Sequence, residues 1–130
     1  MAARVFLILS ALIWTGYGLV CFANPGYLAE AAGVAAGTAT GRTELRAMYG
    51  GLQIAIGTLA LAGALRPAAA PVALLVLASV AAGLGTARLA GVALDGGFSS
   101  YTAAALAIEF GTLALATWLR HRTLPSAVAA

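Results

Sequence analysis

The sequence predicts an all-α protein, a bundle of four transmembrane helices, on three observations. Of 130 residues, 62% are hydrophobic and only 8% charged, against roughly a quarter charged in a soluble domain. Four apolar stretches each approach the ~20 residues that a helix needs to cross a bilayer. The breaks between them, Asn24-Pro25-Gly26, Arg66-Pro67 and Asp95-Gly96-Gly97, consist of residues that end helices or favour turns. A single integral membrane domain over residues 1–130 is therefore expected.

The first span is expected from Arg4 to Ala23. Its positive start and apolar middle also fit a signal peptide, but the apolar part is long for one and Val20 before Cys21 makes a poor lipoprotein box, so a retained helix is preferred. Residues Tyr27 to Thr43 are rich in alanine and glycine and too weakly apolar to span. A plain connector is expected there, and a short helix folded over the outer mouth of the bundle is the alternative. The second span is expected from Glu44 to Leu65, the third from Ala69 to Leu94 and the fourth from Ser99 to Leu119. Tyr101 and Trp118 then fall near opposite boundaries, as interfacial aromatics do.

Arginine placement predicts orientation. Arg4, Arg66, Arg120 and Arg122 fall on one side, Arg42 and Arg46 on the other. Both termini are accordingly expected in the cytoplasm, with the first connector and the Asp95 turn facing outward. His121 reads as a solvated or headgroup contact in a short tail.

Composition excludes several functions. All seven basic residues are arginine, which removes Schiff-base chemistry and a lysine base, and the charges are scattered, which argues against nucleic acid. The lone Cys21 and lone His121 make no metal-ligand cluster, and no phosphate loop or haem motif occurs. No metal and no cofactor is expected. Cys21 reads as a small buried apolar residue.

What remains is charge inside apolar helices. An ionisable side chain near the bilayer centre costs about 3 kcal/mol by insertion scales, so it usually faces protein or water and marks function. Arg88 lies in the third span and Glu109 in the fourth. Seven residues at 1.5 Å rise put Arg88 roughly 10 Å below Asp95 on the same face, at a depth similar to that of Glu109. On the second helix Arg46, Tyr49 and Gln53 share a face at α-helical spacing, and on the first Trp14, Tyr17 and Cys21 do. Glu44 adds a third acid to this outer cluster, whose formal sum is one negative charge. An ion pair between Arg88 and Glu109 is expected, and one remaining acid should titrate unusually. The paired glycines Gly50 and Gly51 each cost a helix about 1 kcal/mol, which close approach of a helix or a ligand would offset.

The segment Glu44-Leu45-Arg46-Ala47-Met48-Tyr49-Gly50-Gly51-Leu52-Gln53, then Arg88 with Asp95 seven residues on, then Glu109, resembles the bacterial four-helix membrane proteins catalogued as domain of unknown function 4345. Asn24-Pro25 is similar to that pattern too. The resemblance covers nearly the whole chain and implies the four-helix fold, a bacterial inner membrane, and Glu44, Arg46, Tyr49, Gly50, Gly51, Arg88, Asp95 and Glu109 as signature positions. It implies no activity.

Two functions follow as expectations. In one, an outward-facing intramembrane pocket binds a lipophilic or amphipathic small molecule through Glu44, Arg46, Tyr49, Gln53, Tyr17 and Trp14, with Glu109, Asp95 and Arg88 as acid, base and anion-stabilising groups for isomerisation or epoxide opening. In the other, the protein is a carrier, sensor or assembly subunit whose buried ion pairs are structural. Membrane lipid is an expected partner, and small-residue faces such as Ala87 with Gly91 would permit a homo-oligomer.

Overall fold

The computed structural model describes residues 1–123, and every element in them is helical. The helices are α1 (Ala2–Ala23), α2 (Tyr27–Ala32), α3 (Ala39–Leu45), α4 (Leu52–Leu65), α5 (Ala70–Asp95) and α6 (Ser100–Thr123). A π-helical turn over Arg46–Gly51 joins α3 to α4, and a 3-10 turn over Pro67–Ala69 leads into α5. Four continuous helical runs result, Ala2–Ala23, Ala39–Leu65, Pro67–Asp95 and Ser100–Thr123, each long and apolar enough to cross a membrane. The expected four-helix architecture is present.

The second run starts earlier than the sequence suggested, at Ala39 instead of Glu44. Thr38 caps it, with an extended backbone and a hydroxyl that accepts from the Gly41 N–H at 3.0 Å. Low hydrophobicity concealed this start, whereas its cap chemistry is ordinary. At the other end, α5 stops where Gly96 turns left-handed (φ 69°) and its N–H closes on the Val92 carbonyl. The fourth run continues through the last arginines to Thr123. The rest of the expected tail lies outside the described residues.

The connector takes the folded-back form. The Asn24 side chain accepts from the Gly26 N–H at 3.1 Å, turning the chain, and Leu28 of α2 is completely buried. The short α2 touches both α1 and α6, so it lies across the end of the bundle that carries the connector and the Asp95 turn. The Tyr27 ring meets Tyr17 of α1 edge to face, with centroids 6.4 Å apart.

The bundle consists of two helix pairs, α1 with α4 and α5 with α6, which meet chiefly through α4 and α5. Lipid tails are as apolar as leucine, so helices associate in a bilayer through close packing more than through hydrophobic drive. Glycine supplies that closeness between α1 and α4. A Cβ added at Gly18 would stand 2.8 Å from the Gly50 carbonyl oxygen, and one at Gly57 would stand 2.8 Å from the Thr15 nitrogen. The continuous core joining both pairs includes Leu7, Ala11, Ile56, Ala60, Leu74, Leu77, Ala116 and Leu119. All lie in the half of the bundle nearer the termini. Toward the connector end, α5 contributes no buried residue after Gly85, and α6 none before Glu109. The two pairs are therefore packed together at one end and open at the other.

Candidate functional site

The ion pair stands where this packing gives out. Arg88, one turn beyond the last buried residue of α5, extends across to Glu109, the first buried residue of α6. Its Nε donates to both carboxylate oxygens at 3.1 Å, and its Nη2 donates to Oε1 at 2.6 Å. A two-pronged, charge-assisted contact of this kind is among the strongest available to side chains and fixes the guanidinium plane. The two sides of the pair differ in exposure, the arginine side chain retaining 28% of its surface and the glutamate 9%. Glu109 is thus enclosed while Arg88 stays reachable, and its Nη1 has no partner among the described residues.

Tyrosine side chains lie near the arginine. The Tyr101 ring lies 5.8 Å from the Arg88 guanidinium carbon, within cation–π range. Tyr49 is within electrostatic range of the same guanidinium. Tyr17 neighbours both Tyr101 and Cys21, linking α1 to the start of α6. Tyr101 and Tyr49 thus lie near the arginine, and Tyr17 lies beside Tyr101, so three spans bring tyrosines to this end of the bundle. Two hollows in the surface, one beside α2 and α3 and one between the terminal ends of α1 and α6, include neither Arg88 nor Glu109.

The remaining residues singled out from the sequence take varied places. Arg46 donates from Nε to the Phe22 carbonyl at 3.0 Å, in the last turn of α1, where a cation also meets the negative end of the helix dipole. Gln53 is buried in the α1–α4 seam beside Gly18, its amide 3.4 Å from the Met48 carbonyl. Trp14 packs against the shared core. Glu44 and Asp95 are both exposed, in α3 and in the last turn of α5 respectively, and neither forms an ion pair among the described residues. Cys21 is fully buried and unpaired.

The π turn explains why Arg46, Tyr49 and Gln53 diverge. The Leu52 N–H bonds to the Ala47 carbonyl, five residues back, so the turn widens and residues before and after it no longer share the α-helical face. Tyr49 is carried toward Arg88, and Arg46 toward the end of α1. Sequence reasoning missed Tyr101 as a member of the site, having placed it as an interfacial aromatic. Its position eight residues before Glu109 puts both on one helical stripe, which is the signal that could have found it.

These features define a class: a multi-pass helical membrane protein with an arginine–carboxylate pair set between its last two spans. The chain belongs to the family described as domain of unknown function DUF4345, whose model matches residues 2–120. None of the curated proteins and none of the solved structures matches it.

Proposed function

We propose that the protein resides in a bacterial inner membrane, with both termini cytoplasmic, and binds an amphipathic or lipophilic small molecule in the outward-facing gap between its helix pairs. One observation carries the proposal: a guanidinium is held inside an apolar span by an enclosed carboxylate, yet stays partly exposed beside the Tyr101 ring. An arginine immobilised in this way costs little further ordering when a ligand arrives. Its open N–H groups suit a carboxylate, phosphate or carbonyl headgroup, while the tyrosine rings suit an apolar body. The small turn of α2 above the gap would exclude water from it. Binding is favoured over acid–base turnover because both Glu109 oxygens are engaged by Arg88, and Asp95 is exposed at the end of α5.

That same engagement supports a second reading, in which the pair is a structural staple between α5 and α6 in a carrier or assembly subunit. The double variant Arg88→Gln with Glu109→Gln separates the two, since it removes both charges together and leaves none unpaired. Native mass spectrometry of protein extracted with its surrounding lipid should show a retained small molecule in the wild type and a loss of ten-fold or more in the double variant. Equal retention in both would assign the pair to structure.

A further inference from the structure

The opposite end of the bundle carries a separate unassigned feature. An open apolar hollow of about 410 Å³ runs between the first turns of α1 and the last turns of α6, walled by Val5, Phe6, Leu9, Leu115, Trp118 and Leu119. Its rim is basic. The Arg122 guanidinium carbon sits 4.2 Å over the centroid of the Trp118 ring, so the charge is held directly at the edge of the apolar wall. Arg120, adjacent to Leu119, has its Nε buried with no hydrogen-bond partner among the described residues. The Nε is enclosed, so a ligand from outside would meet this guanidinium through its Nη groups, which form no hydrogen bond among the described residues and suit an anion.

Among the described residues of the chain, no carboxylate side chain forms an ion pair with these arginines. The chain's four acidic residues are Glu30, Glu44, Asp95 and Glu109, and all belong to the connector half of the bundle. Arg4, Arg66, Arg120 and Arg122 gather at the terminal end without a carboxylate side chain among them. An open apolar hollow edged by arginine fits a molecule with a hydrocarbon chain below and a negative group above. We propose that this hollow is a binding site for an anionic phospholipid, one acyl chain lying against Val5, Leu9 and Leu115 and the phosphate resting on Arg120 and Arg122. A free phosphate would use the arginines but leave the apolar wall unexplained. The site is distinct from the Arg88–Glu109 gap and does not depend on the function proposed there.

The test is native mass spectrometry of the full chain in detergent, supplied with equal amounts of dioleoyl phosphatidylglycerol and dioleoyl phosphatidylcholine. Each basic residue at a membrane surface favours anionic lipid by about five-fold, so two should give a preference of roughly twenty-five-fold. The double variant Arg120→Gln with Arg122→Gln should bring the two lipids near parity. Arg66→Gln, on the α4–α5 turn of the same end, should leave the preference intact. Leu9→Trp, at an exposed position that fills the hollow, should lower retention of both lipids. The proposal fails if the wild type holds both lipids alike, or if Arg66→Gln erodes the preference as much as the double variant does, because diffuse surface charge would then suffice. It fails equally if Leu9→Trp leaves lipid retention unchanged, or if the hollow is filled by a second copy of the chain that this variant releases.

Discussion

The α1–α4 seam and the connector-end halves of α5 and α6 hold their helices by opposite means. Along the seam, Gly18, Gly50 and Gly57 bring one helix to within backbone contact of the other. Between α5 and α6 toward the connector, an ion pair bridges helices whose remaining surfaces are mostly open. Close packing depends on volume and tolerates no added carbon, whereas an ion pair depends on charge balance and can be replaced by apolar groups of similar size. The difference teaches which half is scaffold and which is available for a ligand. A bundle packed closely along its whole length would have no place for a molecule at Arg88.

The largest expected effect comes from adding volume to the seam. Gly57→Leu would drive a side chain into the Thr15 nitrogen and the Ala11 carbonyl, which a Cβ alone approaches at 2.8 and 3.0 Å. Both are backbone atoms, so neither can turn aside. A loss of about 3 kcal/mol is expected, at the upper end for overpacking, read as a fall in the unfolding midpoint in detergent. At Gly91 on α5, half-buried, an added Cβ would meet nothing within 4 Å, and a change below about 1 kcal/mol is expected for Gly91→Ala. Similar losses at the two sites would erase the contrast between the regions.

Next in size is the ion pair. Glu109→Leu leaves Arg88 without its partner, and removing one member of a fully buried pair costs about 3–5 kcal/mol. Because Arg88 keeps 28% of its side-chain surface, solvent offsets part of that, and roughly 2 kcal/mol is expected. Combining Glu109→Leu with Arg88→Leu should recover most of the loss. A double variant as unstable as the single one would mean that neighbours such as Tyr101 depend on the guanidinium, joining pair and tyrosines into one network. Unfolding midpoints of the three proteins decide the matter.

Legibility in the sequence followed the same division. Hydrophobic length and helix-ending residues placed four spans, and α-helical rise correctly set Arg88 and Glu109 at one depth, because both rules depend only on local chain geometry. The rules failed where the helix departs from α geometry. The π turn over Arg46–Gly51 separated three residues that a constant period had aligned. Arg46 found a carbonyl at the end of α1, a partner that no spacing along its own helix could indicate. Trp14 illustrates a different limit, since it was grouped with Tyr17 and Cys21 as a pocket residue but packs against the core shared with other helices. Asp95 shared a face with Arg88 in the sequence, yet its place in the last turn of α5 leaves it exposed.

The finest distinction lies between two neighbouring glycines. A Cβ at Gly50 would stand 2.8 Å from the Phe22 Cβ and 3.0 Å from its Cα, so Gly50→Ala should cost about 1–2 kcal/mol by forcing α1 aside. At Gly51 the nearest atom, the Arg46 carbonyl oxygen, is 3.9 Å away. Gly51→Ala should therefore gain roughly 0.5–1 kcal/mol, the ordinary benefit of alanine over glycine in a helix. The seam accounts for Gly50 and offers nothing to account for Gly51, which is exposed beside Tyr49. If Gly51 is small so that a ligand can approach the helix, Gly51→Ala will raise the unfolding midpoint while lowering retention of the co-purified molecule. A variant that gains stability and keeps the molecule would remove Gly51 from the gap and confine the site to Arg88 and its tyrosines.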